Sequence, residues 1–407
     1  MNSRLSGLQP YPFQRLAELM RGVSPAPDKS PIRLSIGEPQ HAAPRIVLEE
    51  ISAQLQTLSS YPTTHGLPAL RESAAAWANR RHHLERMPLD PQRHILPVSG
   101  TREALFSIVQ AVIDPADSAR PVIILPNPFY QIYEGAALLA GAEPYFLNTV
   151  AESGYRMDFD AVPAQIWRRT RMVFVCSPGN PTGAVMEREE FAHLIELAHR
   201  YDFLIVSDEC YSEIYFDEHQ PPPGILQAAH DLGVADFRHC LAFQSLSKRS
   251  NLPGLRSGIV AGDGNVMTQY LDYRTYHGCS LSSLAQAASI RAWNDEDHVR
   301  ANRDLYRAKF DAVLAILAPV MDIARPQAGF YLWPRTSQDD ELFARELYER
   351  ENVLVLPGSY LSRTADGINP GHNRVRMALV APLEQCVAAA HRIRHHVESV
   401  CLTGIGQ

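Results

Sequence analysis

Short apolar, β-branched runs bounded by turn residues recur through the middle of the chain, at His94–Val98, Val122–Leu125, Pro144–Leu147, Met172–Cys176, Phe203–Ser207, Cys240–Phe243 and Gly258–Ala261. Runs this short and this continuously apolar read as strands buried on both faces. Between several of them apolar residues return at helical spacing, as in Arg102–Ile113 and Glu187–Tyr201. Strands alternating with helices predict an α/β domain built on a mostly parallel seven-stranded sheet. From about Trp293 the pattern changes to long helices, Glu296–Leu317, Asp340–Glu351 and Leu383–Val400, separated by short strands around Gly329–Trp333, Val353–Leu356 and Arg374–Ala378. That tail predicts a smaller α+β domain. The expected division is 1–45 for an N-terminal arm and part of the small domain, 46–290 for the large domain, and 291–407 for the small C-terminal domain.

Composition narrows the class. The 407 residues are 45% hydrophobic and 20% charged, which suits a globular chain with a large core. No stretch approaches the roughly 20 apolar residues of a membrane span. Met1–Met20 lacks the apolar centre of a signal peptide, so the expected compartment is the cytoplasm. The net charge of -7 is spread without a long basic block, which argues against a nucleic-acid partner. Arg80, Arg81, His82 and His83 are the densest basic patch and are expected on a solvated helix face. The six cysteines form no Cys-x-x-Cys pair, so reduced thiols are expected rather than a disulfide frame or a metal site.

Polar signatures follow the predicted strands directly: Ser99-Gly100-Thr101, Asn127-Pro128-Phe129-Tyr130, the Pro178–Gly183 turn, Asp208, and Ser245–Lys248. In open α/β sheets ligands bind outside the carboxyl ends of the strands, so these segments should converge on one crevice. The run Ser245–Arg256 supplies a lysine amine that can form a Schiff base with an aldehyde cofactor. It also supplies a hydroxyl and an arginine that can hold a phosphate. That is the signature of a pyridoxal phosphate lysine, although a Ser-x-x-Lys pattern alone better describes a solvated loop.

The other residues are open to two readings each. Gly100, Thr101 and Arg102 open a helix whose amides could face a phosphate, or simply cap it. Tyr130 could stack on a pyridine ring or pack in the core. Asn180 is a turn residue or a donor to a phenolate oxygen. Asp208 is a cap or the partner of a pyridinium nitrogen, which would make the ring an electron sink. Tyr211 is a loop tyrosine or a second phenolate donor.

Together these residues resemble the fold-type I pyridoxal phosphate aminotransferases of the aspartate aminotransferase class, over about Tyr11 to Val397. The resemblance implies pyridoxal 5'-phosphate as cofactor, Lys248 as the Schiff-base lysine, Asp208 at the pyridinium, Asn180 and Tyr211 at the phenolate and Tyr130 as the stacking ring. Gly100, Thr101, Arg102, Ser245 and Arg256 would surround the phosphate. It also implies a homodimer in which Tyr61, from Tyr61–Arg71, reaches the phosphate of the opposite subunit. Arg376 would clamp the substrate α-carboxylate near the Gly37 amide, in preference to Arg374.

Within that class, Lys248–Gly258, Tyr273–Cys279 and Trp293–Glu296 look like succinyldiaminopimelate aminotransferases of the bacterial lysine pathway. The implied reaction exchanges amino and oxo groups between N-succinyl-LL-2,6-diaminopimelate and 2-oxoglutarate by ping-pong kinetics. By the same resemblance Arg274 and His277, supplied by the partner chain, are the expected contacts for the distal carboxylates. The rivals are an aspartate or acetylornithine aminotransferase, a carbon–sulfur lyase with the same cofactor, and the effector domain of a transcription regulator. The last would need a basic helix-turn-helix domain, for which the roughly 30 residues ahead of the Leu34–Pro39 segment leave no room.

Overall fold

In the computed structural model, which describes residues 1–114, 116 and 120–403 (the backbone alone for 401–403), the seven apolar runs form one sheet. Its strands are β1 (Ile95–Val98), β2 (Val122–Asn127), β3 (Glu143–Asn148), β4 (Thr170–Cys176), β5 (Leu204–Asp208), β6 (Cys240–Ser245) and β7 (Gly258–Gly262). They lie in the order β1-β7-β6-β5-β4-β2-β3. Every pairing is parallel except those of β7, which runs antiparallel to both of its neighbours.

The central strands are apolar throughout because helices cover both faces. On one face Ile124, Val173, Val175 and Ile205 pack with Trp77, Trp167 and Trp293. On the other, Ile123, Leu125, Phe174 and Val206 pack with Tyr133 and Tyr270. Each fully buried side chain of this kind contributes roughly 1.5–3 kcal/mol. Register then aligns the carboxyl ends: Asp208 of β5 lies opposite Cys176 of β4 and Phe243 of β6.

The second body packs helices Asp297–Leu317, Asp340–Glu351 and Leu383–Thr403 around an antiparallel sheet of Leu356–Pro357, Val375–Ala378 and Tyr331–Leu332. The predicted strand Val353–Leu356 divides between two sheets. Leu354 pairs with Arg33 of the Ile32–Arg33 strand, whereas Leu356 pairs with Arg376. The first pairing delivers residues 34–41 to the crevice between the two bodies.

The basic patch departs from expectation. Helix Pro68–Arg81 ends with Arg81 paired to Glu213 at 2.6 Å, and His82 is buried beside Trp77; only His83 of the final three faces solvent. An interior carboxylate, Glu213, draws Arg81 inward and carries the helix end with it. Five cysteines are free thiols, and the Cys401 side chain lies outside the described residues. Among the described residues no helix is long and apolar enough to cross a membrane.

Candidate active site

A cavity of about 470 Å³ opens where the strand ends of the large sheet meet the small body and residues 36–38. Lys248 projects into it from the short helix Leu246–Arg249, whose first turn Ser245 caps by accepting from the Ser247 amide at 3.1 Å. The next residue fixes the loop. The Arg249 guanidinium is buried between Trp77 and Trp293, donates to the Ala292 carbonyl at 2.7 Å and pairs with Glu296. Asn302 of the helix Asp297–Leu317 also donates to the carbonyls of Lys248 and Arg249, at 3.4 Å each. Lys248 Nζ donates to the Gly37 carbonyl at 2.8 Å. Burial pushes its pKa down to about 8, which makes the neutral, nucleophilic amine accessible near neutral pH.

Asp208 ends β5 and is 4% exposed. Its Oδ2 accepts from the Tyr133 hydroxyl at 2.6 Å, and its Oδ1 from the Cys210 amide at 3.3 Å. Burial raises its pKa, so a cation placed in the cavity would meet a carboxylate poor in other counter-charges. Tyr133 itself stacks on Phe174, with ring centroids 4.5 Å apart.

At the opposite end, helix Thr101–Val112 points its first turn at Arg256. Gly100 stands at φ +85, and a Cβ there would overlap the Arg256 guanidinium. The glycine is therefore required twice, for the left-handed backbone and for the close approach. Arg256 Nη1 donates to Pro253 O at 2.9 Å, while Nη2 faces Gly100. Ser245, Thr101 and Arg256 share this end of the wall.

Arg376, 5% exposed, donates from Nη1 to Asn180 Oδ1 at 3.0 Å and from Nη2 to Ser35 O at 2.8 Å. Accepting at Oδ1 turns the Asn180 amide nitrogen to the free side. The Nε of Arg376 is buried without a partner. The Arg376 guanidinium stands 4.6 Å over the Tyr331 ring, and the Tyr331 hydroxyl lies 3.1 Å from that of Tyr211. Arg374 points elsewhere, donating to Trp333 O. On the rim Arg102 donates from Nε to Tyr130 at 2.7 Å and from Nη2 to Tyr11 at 2.5 Å.

The structure thus brings Gly37, Thr101, Arg102, Tyr130, Asn180, Asp208, Tyr211, Ser245, Lys248, Arg256 and Arg376 to one cavity. It does not bring Arg274 there. Its side chain is fully buried, donating to Glu103 at 2.8 and 2.9 Å and to Cys279 O at 2.9 Å, because the interior carboxylate of Glu103 needs a counter-ion. His277 is exposed at the end of the same helix and stacks on Tyr273. Arg274 is thus an internal ion pair, and neither residue lines the cavity of its own chain. Tyr61 is fully exposed and also lies outside that cavity. Sequence reasoning missed Tyr11, Tyr133 and Tyr331. Tyr133 follows Tyr130 by three residues on one helical face, the one signal that could have found it.

The donor set fits a phosphorylated pyridine aldehyde. The glycine cradle with Arg256 and the helix amides suits a dianion, Asp208 suits a ring cation, and Lys248 suits an aldehyde.

Residues 29–393 match the family model for aminotransferase class I and II. An LL-diaminopimelate aminotransferase of Desulforudis audaxviator (strain MP104C) is 31% identical over 398 residues, 96% of each chain. Among solved structures, an aminotransferase from Neisseria meningitidis Z2491 is 48% identical with a TM-score of 0.93, covering 97% of this chain and 100% of that one. A probable N-succinyldiaminopimelate aminotransferase from Thermus thermophilus is 27% identical with a TM-score of 0.81, covering 94% and 99%.

Proposed function

The chain belongs to the class I and II aminotransferases, which depend on pyridoxal phosphate, and from that premise we propose that its amino donor is N-succinyl-LL-2,6-diaminopimelate and its acceptor 2-oxoglutarate. The products are N-succinyl-2-amino-6-oxopimelate and glutamate. The enzyme works as a cytoplasmic homodimer in which Tyr61 of each chain serves the other's phosphate site, which accords with its full exposure here.

One observation carries the substrate reading: the cavity wall holds four cationic side chains, Lys248, Arg256, Arg376 and Arg102. Lys248 is committed to the aldehyde, Arg256 to the phosphate and Arg376 to the α-carboxylate. Arg102 is surplus, and its place on the rim suits a distal carboxylate. It supplies a charge that Arg274, buried against Glu103, is not free to give. Glu38, also in the wall, favours a second reading, free LL-diaminopimelate, whose distal ammonium it could pair.

Once bound, pyridoxal phosphate supplies an aldehyde that takes up the amino group and a protonated ring that accepts electron density from the α carbon. Asp208 keeps the ring nitrogen protonated, and Asn180 and Tyr211 donate to the phenolate oxygen. Gly100, Thr101, Ser245 and Arg256 hold the phosphate, and Tyr130 covers the ring. Arg376 orients the substrate by its α-carboxylate. Lys248 would hold the aldehyde and, as a free amine, would move a proton to and from the substrate α carbon.

The test is glutamate formation from 2-oxoglutarate with N-succinyl-LL-diaminopimelate, LL-diaminopimelate, aspartate and N-acetylornithine as donors. The succinylated donor should have the highest kcat/KM, and Arg102→Ala should lower that value about tenfold or more while sparing monocarboxylic donors. A preference for aspartate, or pyruvate and ammonia as products, would overturn the reading.

A further inference from the structure

Tyr331 sits on the Tyr331–Leu332 strand, opposite Ala378 of the strand that carries Arg376. It is 3% exposed. One aromatic ring therefore touches both ends of the chemistry: its face lies under the Arg376 guanidinium, and its hydroxyl lies 3.1 Å from that of Tyr211. Among the described residues neither hydroxyl has another hydrogen-bond partner. Gly37 closes the arrangement, since a Cβ at that position would overlap the Tyr331 hydroxyl.

We propose that Tyr331 is a positioning residue that donates its hydroxyl hydrogen to Tyr211, forming a two-hydroxyl relay to the cofactor's phenolate oxygen, while its ring fixes the Arg376 guanidinium. The inference rests on the assignment of Tyr211 to that oxygen. A phenol has one hydrogen. If Tyr211 spends its own on the phenolate, it meets Tyr331 as an acceptor, and Tyr331 must be the donor. Donation into Tyr211 polarises its O–H bond and strengthens the bond beyond it. A hydrogen bond to an ionised group favours the ionised form, so the relay favours the deprotonated state of the bound chromophore. Arg376 and Tyr211 are thereby coupled through one side chain, with no water between them required.

The test compares holoenzymes of the wild type, Tyr331→Phe, Tyr211→Phe, the double variant and Tyr331→Leu. The first readout is the pH at which the visible absorption of the bound cofactor changes. Tyr331→Phe should raise that pH by about half a unit, Tyr211→Phe should raise it further, and the double variant should match Tyr211→Phe alone. The second readout separates the ring from the hydroxyl. Tyr331→Phe should leave the KM of the amino donor within about twofold, whereas Tyr331→Leu should raise it about tenfold. An unmoved absorption pH in Tyr331→Phe beside a moved one in Tyr211→Phe would overturn the relay while leaving the site assignment standing. If neither variant moves it, Tyr211 does not serve the phenolate, and the relay falls with that assignment.

Discussion

The Tyr133 hydroxyl donates to Asp208 Oδ2 across 2.6 Å, so the acid at the floor of the cavity is held by a phenol rather than by a basic side chain. A cationic partner would satisfy Asp208 and compete with the ring nitrogen. A neutral donor orients the carboxylate and leaves its charge available.

Tyr133→Phe should lower kcat about tenfold, near the net worth of a hydrogen bond to a charged group, and leave KM nearly unchanged. Asp208→Asn should retain cofactor but lose most turnover. Steady-state kinetics on both variants checks the order. Equal losses would show that Tyr133 does more than orient its neighbour.

Lys248, with its pKa drawn down to about 8 by burial, is neutral to the extent of roughly one part in ten at pH 7. Uptake of pyridoxal phosphate by the apoenzyme requires the neutral amine. Its second-order rate should rise about tenfold per pH unit up to about pH 8 and flatten above. Rapid-mixing absorbance over pH 6 to 10 reads this directly. A rise continuing unbroken to pH 10 would contradict the lowered value.

Gly100→Ala should cut cofactor affinity about tenfold or more, because the methyl displaces Arg256. Part of any damage would come from the backbone, whose positive φ with extended ψ suits little but glycine and costs another residue on the order of 1–3 kcal/mol. Gly154→Ala is the control: its φ is +63, but nothing lies within 4 Å of the added carbon. Gly100, at φ 85 and ψ 149, lies in a region open almost only to glycine, whereas Gly154, at φ 63 and ψ 27, is left-handed helical. Gly100→Ala should therefore lose more thermal stability than the control, and only Gly100→Ala should shed cofactor on dialysis.

Glu209 is buried beneath the strand ends, where it accepts from the Ile225 amide at 2.8 Å, Ser207 at 2.9 Å and Gln244 at 2.8 Å. Burial nonetheless pushes its pKa up to about 7. A carboxyl whose folded pKa is raised binds its proton more tightly when folded, so its contribution is present at acid pH and lost as pH rises through about 7. Glu209→Gln removes that dependence. Relative to wild type the variant should gain on the order of 2 kcal/mol between pH 5.5 and 8.5 in urea unfolding. An unchanged difference across that range would refute the sign.

If the chain works as the proposed dimer, Tyr61→Phe should weaken cofactor retention without dissociating it, since one hydroxyl would be a small part of such an interface. Mixing it with Lys248→Ala protein creates a dimer in which the surviving lysine receives Tyr61 from the other chain. That site should regain wild-type affinity. Confirmed exchange without recovery would place Tyr61 in its own chain or outside the site.

The sheet and its crevice were legible because both depend on local order: seven apolar runs, five of them followed directly by a polar signature. Asp208 and Arg256 stand out as charged groups in apolar or glycine-rich surroundings, and Lys248 by its spacing from Ser245 and Arg256. Tyr11, Tyr133 and Tyr331 did not, since a tyrosine that orients a neighbour has no local pattern to separate it from a core tyrosine. Arg274 failed in the opposite way. Its burial follows from Glu103, 171 positions earlier, and that pairing exists only after folding. The split of Val353–Leu356 between two sheets is likewise set by partners remote in the chain.

The bond between Arg376 and Asn180 ties two duties into one part. On the proposed assignment, a substitution that reshapes the grip of Arg376 on the α-carboxylate would also turn the Asn180 amide, so one end could not be adjusted without disturbing the other. Arg102 and Tyr11, on the rim, bond to each other and to Tyr130 rather than to Arg376 or Asn180, so that edge can change with the least disturbance to this pair. A change of substrate in this scaffold is therefore a matter of the doorway, with the chamber inherited whole.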